Sequence, residues 1–211
     1  MYIAPEMESR ANEPALQTPR QLLPAFYKQY DLGNDGGKER FYVKIEFTKK
    51  IFLYFPNFEA RRKAVFKHDI HHIATGYTST FNGETEISAW EIASGCRYYW
   101  AAFLLDLHGM TIGVLYNLPG VYKAFVKGRR TKNLYSDIYS DEQLPDIPLQ
   151  TIRERLLLNN YPPNTKGNAT DLVLFLLTVL LGIIYSLLSL ILLPFILLFS
   201  IYVMIKKKMA G

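Results

Sequence analysis

Residues 57–76 read NFEARRKAVFKHDIHHIATG. Asn57 offers the short polar side chain that caps a helix start, and Gly76 the residue that ends one in the left-handed conformation. No proline or glycine interrupts the stretch between them, so it predicts a helix from Phe58 to about Thr75. The last two turns of that helix hold His68, Asp69, His71 and His72, in a chain with four histidines in all. His68 and His72 are four apart and stack on one helical face. Asp69 lies at the edge of the same face, and His71 points away from it.

Outward from this stretch the chain is punctuated in helix-length pieces. Gly76 and Asn82-Gly83 signal a turn, after which Glu84 is the first charged residue, following His72 by eleven intervening positions. A second helix is expected from Glu84 through Ile87, Trp90, Ile92, Tyr99 and Phe103, largely buried because its charges are sparse. Gly109, Gly113 and Pro119-Gly120 punctuate a third helical region ending near Val126. Pro148 opens another helix, through Ile152 and Leu156, that finishes at Asn159-Asn160. On the N-terminal side, Thr18-Pro19 starts a short helix through Leu22, Leu23, Phe26 and Tyr27. Leu32 to Gly37 breaks it. Phe41 to Phe55 alternates in part and is rich in β-branched and aromatic residues, so one or two strands are expected there, ended by Pro56. The fold class is therefore mainly α: a helical domain with a small β element near the N-terminus, plus a C-terminal hydrophobic membrane helix or helical hairpin.

The hydrophobic part is Leu172 to Ile205, 34 residues without a charge. A single bilayer span takes about 20 apolar residues. Three forms fit the tail: one span followed by an interfacial helix, a tight hairpin, or one long tilted helix with Pro194 as its weak point. Lys206, Lys207 and Lys208 follow the tail as an interfacial anchor and favour the cytoplasmic side, where the soluble domain is expected as well. They supply three of the net five positive charges, and the remainder is too small an excess to argue for nucleic acid. The division expected is a mobile arm over 1–17, a soluble metal-site domain over 18–160, a linker over 161–170 and a membrane anchor over 171–211. Trp100 to Val126 is also apolar, but Asp106, His108, Gly109 and Gly113 interrupt it, so it reads as a core helix. Cys96 is the single cysteine and reads as a small core residue.

Two imidazoles with one or two carboxylates form a ligand set for a borderline divalent metal such as zinc, iron or manganese. Asp69 either binds that metal or orients an imidazole beside it. So few protein ligands leave coordination positions open, which suits catalysis or ligand capture rather than a purely structural ion. Several other chemistries are disfavoured. A zincin helix needs Glu directly after its first His, where Asp69 stands. A His-Asp phosphohydrolase needs a histidine upstream of His68, and there is none. The chain has neither a glycine-rich phosphate loop nor a G-x-S-x-G elbow. His108 is isolated and reads as a packed histidine.

The pattern His68-Asp69-x-x-His72, eleven residues, Glu84 resembles the signature of the coenzyme Q (ubiquinone) biosynthesis protein 4 family. His72-Ile73-Ala74-Thr75-Gly76, Gly83-Glu84, Gly128-Arg129-Arg130, Leu134-Tyr135 and Ile152-Arg153-Glu154-Arg155-Leu156 are similar to that family too. The resemblance covers roughly Phe58 to Leu158; the strand-like stretch and the apolar tail are additions to the family pattern. It implies a mostly helical, membrane-associated protein of prenylated quinone biosynthesis, with His68, Asp69, His72 and Glu84 as ligands of a zinc ion. It further implies a hydrophobic groove for a prenyl lipid over Ile87 to Val126, and partners among other quinone-biosynthesis proteins or further copies of the chain. The activity implied is decarboxylation of a polyprenylated benzoate by a metal-dependent carboxy-lyase. The alternative is a non-catalytic prenyl-lipid-binding scaffold that organises such a complex.

Overall fold

The computed structural model describes residues 16–46, 52–96 and 98–210. The arm expected over 1–17 therefore lies almost wholly outside the described residues. The chain runs through α1 (Pro19–Gln29), β1 (Tyr42–Glu46), β2 (Phe52–Pro56), α2 (Glu59–Thr75), α3 (Phe81–Ser94), α4 (Trp100–Gly128), α5 (Leu149–Arg155), α6 (Ala169–Ser189) and α7 (Leu193–Ala210). It is a mainly helical domain with one small antiparallel hairpin, in which Tyr42 pairs with Pro56 and Lys44 with Tyr54.

α1 starts as expected. Thr18 and Gln21 form a reciprocal capping box, with Pro19 at the first helical position where its missing N–H costs nothing. At α2 the N-cap expectation is corrected: Phe58, not Asn57, is the cap. Asn57 Nδ2 instead donates to the carbonyls of Gly37, Lys38 and Arg40, and its Oδ1 accepts from Arg61. The loop before β1 claims this side chain and is thereby tied to the start of α2. Gly76 ends α2 with φ +81°, its N–H bonded to the His72 carbonyl.

The long second helix expected through Tyr99 and Phe103 is also corrected. α3 stops at Ser94, because Gly95 takes φ +99°, and α4 begins at Trp100. α3 itself starts earlier than Glu84, at Phe81, capped by Thr80. Gly109 and Gly113 do not break α4; they let it come close to α3. A Cβ at Gly109 would overlap the Ser88 hydroxyl, and one at Gly113 would overlap Thr85. The irregularity in α4 falls at Asn117, with φ −144° and ψ 49°, ahead of Pro119. Pro148 does open α5, but the helix ends at Arg155.

The core joins α1, α2, α3 and α4 through Phe26, Ile70, Ile87, Trp90, Met110 and Phe125, closed at one end by Leu144, Ile152 and Leu156. Both α4 and the stretch Ala169–Met209 are long and apolar enough to cross a membrane, but α4 is the more buried of the two. The tail does not fold back as a hairpin. The backbone stays right-handed helical through Ser189 and Leu193, and a single 3₁₀ turn over Leu190–Leu192 accommodates Pro194 by tightening the chain where the proline cannot donate.

One side of this rod packs on the domain. Asn168 caps α6, and Asp171 pairs with Arg130 at 2.6 Å and Arg129 at 3.5 Å. Phe175 meets Tyr122 and Phe125 edge-on, and Gly182 passes close to Thr111. His108 is a packed histidine, 2.9 Å from Ser186 Oγ. Further on, Ser200 Oγ accepts from the Tyr54 N–H and donates to the Tyr54 carbonyl, and Lys207 lies over the Tyr42 and Tyr54 rings. The other side exposes a run of apolar side chains from Leu172 to Met209, a surface suited to lipid rather than water. The chain is thus a helical domain carrying a long apolar helix of membrane-anchor type.

Candidate metal centre

α2 has an unusual buried face: Lys67, Asp69, His71 and His72 lie inside beside Ala64, Val65, Ile70 and Ala74. Four polar residues in such a place each need a partner, and each has one. Lys67 reaches Asp141 at 2.8 Å and Asp137 at 3.2 Å. His71 is a structural residue, wholly buried between Trp90 and Tyr135. It donates from Nδ1 to Glu91 at 2.5 Å and accepts the Leu134 N–H on Nε2 at 2.8 Å. That pattern is a neutral imidazole, and burial holds its pKa below the ordinary histidine value.

The structure brings together His68, His72 and Glu84, whose ligand atoms all lie within 4.8 Å of one another. The two Nε2 atoms are 3.1 Å apart, and a Glu84 carboxylate oxygen lies 3.4 Å from each. Partners on the far side of each ring fix where the hydrogens sit. His72 Nδ1 faces the Tyr77 carbonyl at 3.0 Å, and a carbonyl only accepts, so this nitrogen carries the hydrogen. His68 Nδ1 faces the Glu91 carboxylate at 3.0 Å, with the same result. The Nε2 atoms of both rings are thereby turned toward each other and toward the Glu84 carboxylate, where a ring in its neutral form presents a lone pair.

The two nitrogens and the carboxylate come together around positive charge, which a shared proton or a metal ion supplies. The spacing suits a metal: bonds of about 2.0–2.1 Å in a tetrahedral arrangement place donor atoms roughly 3.3 Å apart. A hydrogen on each far nitrogen, held by a carboxylate or a carbonyl, is also how metal-binding histidines are usually oriented. Burial works against charge on His68, but Glu91 and Glu84 outweigh it and raise its pKa well above the usual value. Burial likewise opposes ionisation of Glu84, yet hydrogen bonds from the two histidines leave its carboxyl well below the carboxylate range. Both shifts describe a site that attracts positive charge. The Ser79 hydroxyl donates to Glu84 and holds it at the start of α3. The side of the site formed by His68 and Glu84 is open to solvent, with side chains 22% and 41% exposed, whereas His72 is sealed.

The fourth sequence-derived residue, Asp69, is turned elsewhere. Its Oδ2 accepts a hydrogen bond from the Tyr27 hydroxyl of α1 at 2.9 Å. Burial pushes its carboxyl up to about 6, against the pull of His68 and of that hydrogen bond. It stands behind the three converging donors, tying α1 to the helix that carries two of them.

Sequence reading missed two residues behind the site. Glu91 accepts from both His68 and His71 and from the Tyr135 hydroxyl. Burial opposes its charge, but the two imidazoles outweigh this and hold it well below the carboxylate range. Asp106 of α4 lies beside it, and its atoms with those of His68 and Glu91 make a second close group. Burial and the neighbouring Glu91 charge push Asp106 far up, so it stays protonated and takes a weak contact from Cys96. The signal was available. Glu91 is seven residues after Glu84 and shares its helical face, and Asp106 is a lone acid in an apolar run.

Comparison of the chain with protein-family models, with curated proteins and with solved structures returns no match.

Proposed function

We propose that this protein is a membrane-anchored, metal-dependent protein that acts on a prenylated aromatic acid, as a carboxy-lyase of quinone biosynthesis. The observation that carries this reading is the convergence of two imidazole Nε2 atoms and a carboxylate at 3.1–3.4 Å on the open side of α2 and α3. The ligand spacing in sequence supports the family assignment. A bound divalent ion, zinc by that resemblance, would supply Lewis-acid polarisation of a substrate carboxylate. His68, His72 and Glu84 would hold it. Glu91 and the Tyr77 carbonyl fix the two rings by their outer nitrogens, and Asp69 with Tyr27 sets the position of α2 against α1. The partially exposed Glu84 side leaves room for an exogenous ligand. A prenyl chain would lie on the exposed apolar residues of α4, among them Leu105, Ile112, Leu115 and Leu118. The outward face of the tail would keep the domain where such a water-insoluble substrate is dissolved, with the C-terminal lysines on the cytoplasmic side.

The deciding experiment is elemental analysis and lipid mass spectrometry of the purified full-length protein, together with complementation of a quinone-deficient strain. The reading requires near-stoichiometric metal that is lost in His72→Ala, and loss of complementation in Glu84→Ala. Complementation that survives Glu84→Ala, with prenyl lipid still bound, would establish the scaffold role instead.

A further inference from the structure

Beyond the C-terminal end of α2, away from the open side of the metal centre, a cavity of about 370 Å³ is lined by Tyr77, Glu86, Lys123, Lys127, Leu158 and Tyr161, among others. One of these groups has no counter-charge and another no hydrogen-bond partner among the described residues. Lys127 Nζ lies 4.9 Å from the centroid of the Tyr77 ring and 3.4 Å from the Thr75 carbonyl, with no carboxylate partner among the described residues. The charges that act on it, Arg153 and Lys123, have its own sign, and with burial they hold its pKa down to about 8. On the same wall the Tyr161 hydroxyl is buried and has no hydrogen-bond partner among the described residues. A buried hydroxyl is ordinarily paired and a half-buried ammonium ordinarily has a counter-charge, so these two donors on one cavity ask for an anionic acceptor.

An anion with several oxygens answers both groups at once. Lys127, Lys123 and Tyr161 line one cavity from different positions, and the oxygens of a phosphate, with its greater charge and tetrahedral spread, suit three such donors better than a flat carboxylate. The carboxylate on the wall, Glu86, is already engaged by Asn117 Nδ2 at 2.8 Å. Arg153, behind the cavity, is directed to the Ala74 carbonyl at 2.7 Å and adds positive field without occupying the space. The position agrees with the charge. Gly167 lies against Tyr122 and Val126 on the same part of α4, and the lipid-facing side chains begin at Leu172. The cavity therefore sits at the level where the apolar rod leaves water, which in a bilayer is the level of the headgroups.

We propose that this cavity binds a phosphate group, from a phospholipid headgroup or from free phosphate, with Lys127 and the Tyr161 hydroxyl as its inner donors and Lys123 at the rim. The site shares Tyr77 with the metal centre but none of the candidate metal ligands, and it stands or falls without the metal.

The test uses full-length protein in a maltoside detergent, which carries no phosphate. One arm titrates inorganic phosphate and follows ³¹P line broadening. The other loads mixed micelles with phosphatidylglycerol and counts retained lipid by native mass spectrometry. Binding in either arm is expected for the native protein, weakened about tenfold or more in Lys127→Met, which loses a charged hydrogen bond, and about fivefold in Tyr161→Phe, which loses a neutral one. Inorganic phosphate binding identifies the free ion as sufficient; retention of lipid alone identifies the headgroup. Tyr161→Phe keeps the ring and its packing, so it decides the matter if Lys127→Met does not fold. Absence of binding in both arms, or binding by a folded Tyr161→Phe variant equal to that of the native protein, would overturn the proposal.

Discussion

The Nε2 atoms of His68 and His72 stand 3.1 Å apart, and the outer nitrogens of both rings are already committed as donors. A divalent cation should therefore bind in place of the proton that His68 holds beside Glu84. Zinc at about a hundredfold excess over its dissociation constant is expected to raise unfolding free energy by about 2.7 kcal/mol. Thermal melts with and without zinc should show this rise in the native protein and lose it in His72→Ala and in Glu84→Ala. An equal rise in Glu84→Ala would remove Glu84 from the ligand set.

Glu91 should act on the metal only through His68. Glu91→Gln keeps an acceptor oxygen but loses the charge, and metal affinity is expected to fall about 10- to 100-fold with the fold retained. Glu91→Leu leaves the donors of His71, His68 and Tyr135 buried without an acceptor and should cost roughly 3–5 kcal/mol, as breaking a buried pair does. Competition titration with a zinc chelator and urea unfolding separate the two effects.

The close approach of α3 and α4 depends on small residues. Gly113→Ala puts a methyl group into Thr85, with Val121 on the other side, and should destabilise the protein by about 1–3 kcal/mol through overpacking. A stability equal to that of the native protein in denaturant unfolding would mean that the helices separate without penalty.

Truncation after residue 168 is expected to lower the melting temperature rather than simply to release a soluble domain. It uncovers Tyr122 and Phe125, which lose Phe175, and leaves Arg129 and Arg130 without Asp171. Differential scanning calorimetry of the truncated and full-length chains in the same detergent measures the loss; identical melts would show that the rod contributes nothing to the fold.

Lys127 gives a pH dependence of definite sign. Its pKa falls from 10.5 to about 8 on folding, chiefly through burial, so the folded state favours the neutral amine. The associated stability is present above about pH 10.5 and is lost as pH falls through 8. Relative to Lys127→Met, the native protein should lose about 2 kcal/mol over that interval, a value discounted for partial exposure. Urea unfolding of both proteins in phosphate-free buffer measures the difference; parallel stability curves would be incompatible with a desolvated ammonium.

Much of this was legible in sequence because it is local. The helix start at Thr18-Pro19, the turn at Gly76, a small β element within Phe41 to Phe55 and the apolar tail each follow from residues near one another in the chain. The convergence of His68, His72 and Glu84 was legible because helix periodicity and one short turn place them. The misreadings arose where distant segments compete for the same group. Asn57 looked like a cap, but the loop at Gly37 to Arg40 holds its amide. Asp69 keeps its place beside His68 and His72, but its bond to a tyrosine 42 residues away could not be read from the local pattern. Gly109 and Gly113 looked like breaks, but glycine inside a helix can also serve close packing, and only the neighbouring helix distinguishes the two. The tail's attachment to α4 and to the hairpin was invisible for the same reason.

The two hydrogen bonds between Ser200 and Tyr54 make one hydroxyl stand in for a third strand. A two-stranded ribbon has unpaired backbone groups along its outer edge, and such an edge recruits strands from other molecules. Here the edge is closed by a helix whose opposite side belongs to lipid. Displacing that helix, by detergent exchange or by cutting the chain, would bare the edge of β2 as well as apolar surface. The copies released would then be prone to join strand to strand, so the rod that holds the protein at a membrane is also what keeps the hairpins of neighbouring molecules apart.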